Sequence, residues 1–206
     1  MGFIILAPMK KVISVLLVSI PLVVLSQSNL NKWNNTLYNK YDASKFQKLE
    51  IVNQLIEPNN IDYKLLNAAI FYCTNIQRIK YDKKPFTHSI ALEKAAQSHS
   101  KDMVTQNFFS HKNTVKEKRT LTDRLSLVGI DNGYRAENIS NNFEKKPTYW
   151  SLASKIVDGW MKSSGHRENI LNDKYNYLGC GVYYYKNLEW KGYFWVKATQ
   201  NFSSRG

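Results

Sequence analysis

Helical and strand periodicities are segregated along this chain, and that order limits its fold more than any other feature. Leu65, Leu66, Ala69, Ile70, Cys73 and Ile76 recur at helical spacing in a segment opened by Ile61-Asp62. Leu92, Ala95, Ala96, His99 and Met103 line one face of a second helix that Ser89 can cap. A short helix is expected from Thr120 to Leu127, ended by Gly129, and a longer one from Tyr149 to Met161 that buries Leu152, Ile156 and Trp160. Tyr134 to Phe143 reads as loop passing into strand. Only then come two aromatic, β-branched runs, Tyr177 to Tyr185 and Gly192 to Phe202, joined through Asn187 to Lys191 as a hairpin. Along the second run Tyr193, Trp195, Lys197 and Thr199 share one face, and Phe194, Val196, Ala198 and Gln200 the other. Helices first and antiparallel strands last give an α+β class.

The 206 residues, 43% hydrophobic and 13% aromatic, suffice for one packed domain and a leader. Met9-Lys10-Lys11, the apolar run Val12 to Leu25 and the small residues of Val24-Leu25-Ser26 read as a secretory signal over 1–26, cut before Gln27, with Met9 a candidate initiator. The run is short for a membrane span, so no transmembrane segment is expected once the signal is removed. Residues 27–60 are polar, rich in Asn and Lys and weakly helical, a spacer or a peripheral extension, and Pro58-Asn59-Asn60 separates them from the domain at 61–206. The chain is basic, with formal charge +13. Its 29 Lys and Arg less Lys10 and Lys11 leave 27 against 16 acidic residues, or +11 after the cut. Export and the lack of a nucleic-acid motif exclude a genomic role, and point to anionic envelope polymers or lipid headgroups as partners. Cys73 and Cys180 could pair in an oxidising compartment or stand as two buried thiols, and neither has a His or Asn locally placed to activate it.

Four histidines carry unequal promise. His99, on an apolar helix face, reads as a satisfied core residue, and His88 as a solvated loop residue without carboxylate neighbours. His111 closes Phe108-Phe109-Ser110-His111, and His166 follows Gly165 in a stretch running on to Leu171, each at the exit of a helix. Between them lies Ala136-Glu137-Asn138-Ile139. Two imidazoles and a carboxylate can bind a metal, shuttle a proton or knit loops together. Zinc would accept the three and leave a fourth position for water, which could serve as a nucleophile near neutral pH. His-Glu-x-x-His spacing, a Gly-x-Ser-x-Gly elbow, a phosphate-binding glycine loop and Cys-x-x-Cys are all missing from the sequence. The adjacency of Ser163 and Ser164 to His166 does not make a nucleophile–base pair.

The ordered set Asn75-x-x-Arg78, Leu92 through Met103, Phe108 through His111, Ala136 through Ile139, Trp160 through Leu171, Leu178-Gly179-Cys180-Gly181-Val182 and Phe194 through Phe202 resembles the CAP superfamily (cysteine-rich secretory proteins, antigen 5, pathogenesis-related 1), in its bacterial, cysteine-poor branch. The resemblance covers Ile61 to Phe202. It implies a three-layer α-β-α sandwich with a central antiparallel sheet and a cleft of two His and two Glu, in some members with zinc. His111, Glu137 and His166 match three of those positions, and Ser163 stands where the second Glu would fall. Asn138 and Glu168 are the expected supports of the cleft, and His111 and His166 the expected ligands for zinc or another divalent metal. The function expected is an exported, secreted or periplasmic, monomeric protein whose cleft binds a small ligand, a lipid or envelope component, or a divalent metal, without turnover. Two alternatives stand beside it: a metal-dependent hydrolase acting on peptide or cell-wall material, and a basic-surface module for anionic envelope polymers or lipids.

Overall fold

The computed structural model describes residues 1–2 and 32–206; the expected leader over 1–26 and the first residues of the extension lie outside the described residues, apart from Met1 and Gly2. The described chain forms α1 (Ala43–Phe46), α2 (Tyr63–Lys80), β1 (Thr87–His88), α3 (Ile90–Thr105), α4 (Leu121–Ser126), β2 (Arg135–Glu144), α5 (Tyr149–Lys162), α6 (Ser164–Leu171), β3 (Tyr177–Tyr185) and β4 (Phe194–Ser203), with short 3-10 turns at Asn35–Asn39, Glu50–Asn53 and Lys116–Lys118. The strand order is β1-β3-β4-β2. β2 and β3 flank β4 antiparallel, while the two-residue β1, in a segment expected to be loop, adds a parallel edge to β3.

Side chains at the helix starts satisfy free backbone N–H groups. Asp62 accepts from Leu65 N, Ser89 from Leu92 N and Thr148 from Ser151 N, while Thr120 and Asp123 form a reciprocal capping box on α4. α2 and α5 cover one face of the sheet. There Leu178, Cys180, Val182, Phe194, Val196, Ala198 and Phe202 join the main core with Leu65, Ile70, Leu152, Ile156 and Trp160. α3 covers the other face, so the fold is an α-β-α sandwich of α+β class.

The contact between α3 and β3 depends on two missing side chains. Gly179 and Gly181 point to the same face of β3, and α3 lies directly on them. A Cβ on Gly179 would sit 2.0 Å from Glu93 N, and one on Gly181 would sit 2.1 Å from Gln97 N. Both obstacles are helix backbone, which cannot move aside as a flexible side chain can. Polar bonds then lock the packing: Ser100 donates to the Gly181 carbonyl, and Gln97 donates to Val182 O while accepting from Val182 N.

Residues 33–60 are part of the core, although their composition suggests a spacer. Trp33, Phe46 and Val52 are fully buried. Trp33 meets Phe46 and Tyr72 edge-on, and Phe46 stacks on Tyr72 with ring centroids 4.2 Å apart. A few widely spaced large residues carry this packing among the Asn and Lys that dominate the segment. His88 departs from expectation in the same region. Its side chain is buried, its Nε2 lies 2.6 Å from Glu93 Oε2, and Tyr38 both stacks on its ring at 3.5 Å and donates to Glu93. The carboxylate partner five residues ahead falls on the first turn of α3, where strand-to-helix geometry folds it back onto His88.

The glycine contact predicts that Gly181→Ala will cost more than about 3 kcal/mol in denaturant unfolding or leave the chain insoluble. Gly165→Ala, where a Cβ meets nothing within 4 Å, should change stability by less than about 1 kcal/mol.

Candidate functional site

Glu137 is the hub of the site. It stands on β2, on the α3 side of the sheet, paired across from Asn201. Its side chain is buried, and both carboxylate oxygens are engaged. Oε1 accepts from His111 Nδ1 at 2.9 Å, with His99 Nε2 3.9 Å away. Oε2 accepts from Arg124 Nη2 at 2.6 Å and, with the Asn201 amide turned to satisfy both its ends, from Asn201 at 3.2 Å. Burial pushes the carboxyl upward, but the His111 hydrogen bond and the Arg124 charge outweigh it and hold Glu137 below its ordinary value, so it is ionised.

Arg124 reaches the hub from α4, and its side chain is as buried as the carboxylate. Its Nη1 also donates to the carbonyls of His111, at 3.2 Å, and Lys118, at 3.1 Å. One guanidinium therefore grips the backbone of His111 and the carboxylate that orients the His111 ring. With Nδ1–H given to Glu137, the His111 ring presents Nε2 outward, and its side chain is 57% exposed.

His99 packs behind this pair, fully buried on α3. Its Nε2 donates to Ser110 O at 3.1 Å, and its Nδ1 accepts from Asn113 at 3.3 Å. Burial lowers its pKa to about 4, against the smaller opposing pull of Glu137, so the ring is neutral near pH 7. Asn113 also donates to Asp102, which Lys118 meets at 3.0 Å. Lys197, buried on β4, donates to Met103 O and Phe108 O. These bonds tie the segment leading into and out of His111 to the end of α3.

His166 is positioned separately. Asn138, the next residue on β2, points to the opposite face, donates to His166 O at 3.1 Å and to Gln200, and accepts from Asn169 at 2.9 Å. Trp160 donates to Ile139 O and fixes the end of α5 just ahead of α6. His166 is half-buried. Burial lowers its pKa, and the charge of His111 lowers it further, so the two imidazoles lie within electrostatic reach of each other. Ser163 ends α5 and opens α6, where it brings no carboxylate. Glu168 is exposed and forms no hydrogen bond or ion pair among the described residues; its charge acts on Tyr175 rather than on the imidazoles. Cys73 and Cys180 are free, so no disulfide joins them, and burial pushes Cys73 up to about 12 and Cys180 well above its ordinary value. Both thiols stay protonated and inert.

The donor set bears on a metal. Among the described residues no group of three or more His, Cys, Asp or Glu is arranged to hold an ion. His111 and His166 offer two nitrogens, and the nearby carboxylate is already saturated by Arg124 and Asn201. A closed four-ligand zinc site, or the three-ligand set of catalytic zinc, does not fit these residues.

The family model for the cysteine-rich secretory protein family (CAP) matches residues 71–198, which include every residue of this cluster up to β4. The chain belongs to that family. It is 32% identical over 163 residues to the uncharacterized membrane protein YlbC of Bacillus subtilis (strain 168), covering 72% of this chain and 44% of the relative. The chain spans less than half the length of the curated relatives it matches. A crystal structure of an extracellular protein containing an SCP domain from Bacillus anthracis is 31% identical, with a TM-score of 0.54 over 68% of this chain and 40% of that one. An outer surface protein of Borrelia burgdorferi shares the fold at 17% identity, with a TM-score of 0.55 over 71% of this chain and 97% of that one.

Sequence reasoning missed Arg124, Asn113 and Asn201, and read His99 as the satisfied core residue that it is without seeing that it lies behind Glu137. Arg124 follows a basic stretch and looks solvated. A charge account would have found it, because a carboxylate inside a strand requires a cation.

Two predictions follow from the buried charges. Arg124→Leu leaves Glu137 unpaired and should cost about 3–5 kcal/mol in equilibrium unfolding, whereas the Arg124→Leu/Glu137→Leu pair should cost less than the sum of the single changes. His99 has a folded pKa of about 4 against an unfolded 6.5, so its stabilising effect is complete above 6.5 and fades as pH falls toward 4. Urea unfolding should lose about 2 kcal/mol between about pH 7.5 and about pH 5, with His166 acting in the same direction, and His99→Gln should flatten that slope.

Proposed function

We propose that this is an exported CAP-domain protein whose His111–His166 site binds a ligand and does not turn over substrate. The observation that carries this reading is the Arg124–Glu137 ion pair. A carboxylate that accepts three hydrogen bonds, one from a buried guanidinium at 2.6 Å, and is held below its ordinary pKa is a weak general base. Its role is to fix the tautomer and direction of His111, as outer-shell carboxylates do for ligating imidazoles. That argues against the metal-dependent hydrolase.

Two imidazoles with open positions around them suit a divalent cation that takes the rest of its coordination from water, or from an envelope component that carries its own oxygen donors. Export is supported by the basic-then-apolar start of the chain and by relatives described as extracellular and outer surface proteins. No helix among the described residues is long and apolar enough to cross a membrane.

Zinc titration by calorimetry at about pH 7 should give a saturable heat that the His111→Ala/His166→Ala variant lacks, while Glu137→Gln weakens binding by about tenfold through misorientation of His111. Equal heats from the native protein and the double variant would remove the metal reading. Burial, with a smaller push from His111, lowers the pKa of His166, so its contribution to binding should persist to lower pH than an ordinary imidazole allows.

A further inference from the structure

The loop between α4 and β2 carries the one Asn-Gly pair in the sequence, Asn132-Gly133. Both residues are exposed. Gly133 is held at φ +94°, and a Cβ there would sit 2.5 Å from Ser204 Oγ, so conformation and space both require glycine. Nothing in the fold calls for the amide before it. The Asn132 backbone is not left-handed, and neither its side chain nor Gly133 N enters a hydrogen bond among the described residues. A carboxamide carbon is an electrophile, and here the next peptide nitrogen is a nucleophile that no hydrogen bond restrains and no Cβ shields. The contrast is Gly159, which follows Asp158 but lies inside α5, where the helix ladder occupies its N–H.

The loop is short and pinned at both ends. Ile130 is buried in one cluster with Leu92 and Leu125. Tyr134 N donates to Ser204 Oγ, and Ser204 N donates back to Tyr134 O, both at 3.0 Å. Beyond those two anchors stand Arg124 on α4 and Glu137 on β2. We propose that Asn132 is a site of spontaneous modification, converting to isoaspartate in the folded protein and lengthening the link between the partners of the buried ion pair. The bonds balance without a redox partner. Hydroxide takes the Gly133 amide proton, the nitrogen bonds to Asn132 Cγ, and the Cγ–Nδ2 bond breaks as ammonia leaves with a proton from water. Water then opens the succinimide ring. Attack at Cγ restores the ordinary chain as aspartate. Attack at the main-chain carbonyl leaves the chain running through Cβ and Cγ, with one more backbone carbon and a free α-carboxylate.

The full chain is kept at mildly alkaline pH, native or in urea, and digested with trypsin at intervals. Cleavage after Arg124 and Arg135 yields Leu125–Arg135, in which Asn132 is the only asparagine. Mass spectrometry should show amide-to-acid conversion in that peptide about tenfold or more faster than at any other asparagine, with isoaspartate exceeding aspartate. The native rate should lie within about fivefold of the rate in urea, because the fold leaves the Gly133 nitrogen free. Asn132→Gln, at an exposed and unbonded position, should abolish the conversion. Aged native protein should unfold at lower urea than fresh protein, and aged Asn132→Gln should not. Conversion no faster at Asn132 than elsewhere, a larger protection by the fold, or an unchanged urea midpoint after full conversion would overturn the proposal.

Discussion

A single buried ion pair organises the site. Arg124 and Glu137 come from a short helix and the edge strand β2, and neither charge would be tolerated at that depth without the other. Once paired, they hold four things: the His111 ring through Glu137, the His111 and Lys118 carbonyls through Arg124, the amide of Asn201, and an electrostatic surrounding for neutral His99. The segment from Ser110 to Arg119 has little apolar content of its own, and these polar attachments, with the Asn113 and Lys118 bonds to Asp102, are what place it.

The alternation of β2 extends that control across the sheet. Glu137 faces α3 and serves His111, while Asn138 faces α6 and serves the backbone of His166. Two adjacent residues therefore place the His111 ring and the His166 backbone from opposite faces of the sheet. The same arrangement explains why the carboxylate is not a free reagent. A side chain that has to orient a ring, neutralise a guanidinium and accept from an amide is chemically committed before any ligand arrives.

The helices and the terminal hairpin were legible because each carries its period in one unbroken run, and the motif order was enough to bring out the family. His111, Glu137 and Asn138 were legible as members of the site because their local contexts are distinctive. Arg124 was not, because what it does depends on a contact with a strand thirteen residues on, and a lone Arg in a basic region has a commonplace meaning in one dimension; His99 was legible as a satisfied core residue, though not as a neighbour of Glu137. His88 was misread for a related reason: its carboxylate partner lies close in sequence, but only the turn into α3 brings it into contact. The N-terminal segment hid its packing in polar composition, since Trp33, Phe46 and Val52 are few among its Asn and Lys.

The bare face of β3 at Gly179 and Gly181 has a mechanical consequence. With helix backbone seated on strand backbone, α3 and the sheet move as one slab, and His99 and Glu137 are both fixed to it. His111 meets that slab through its ring nitrogen on Glu137, and its neighbours are tied to it by the bonds of His99 to Ser110, Asn113 to Asp102 and Lys197 to Phe108. An incoming ligand therefore meets an imidazole whose position is inherited from the helix–strand contact behind it, so a change of packing at Gly179 or Gly181 would be felt at His111.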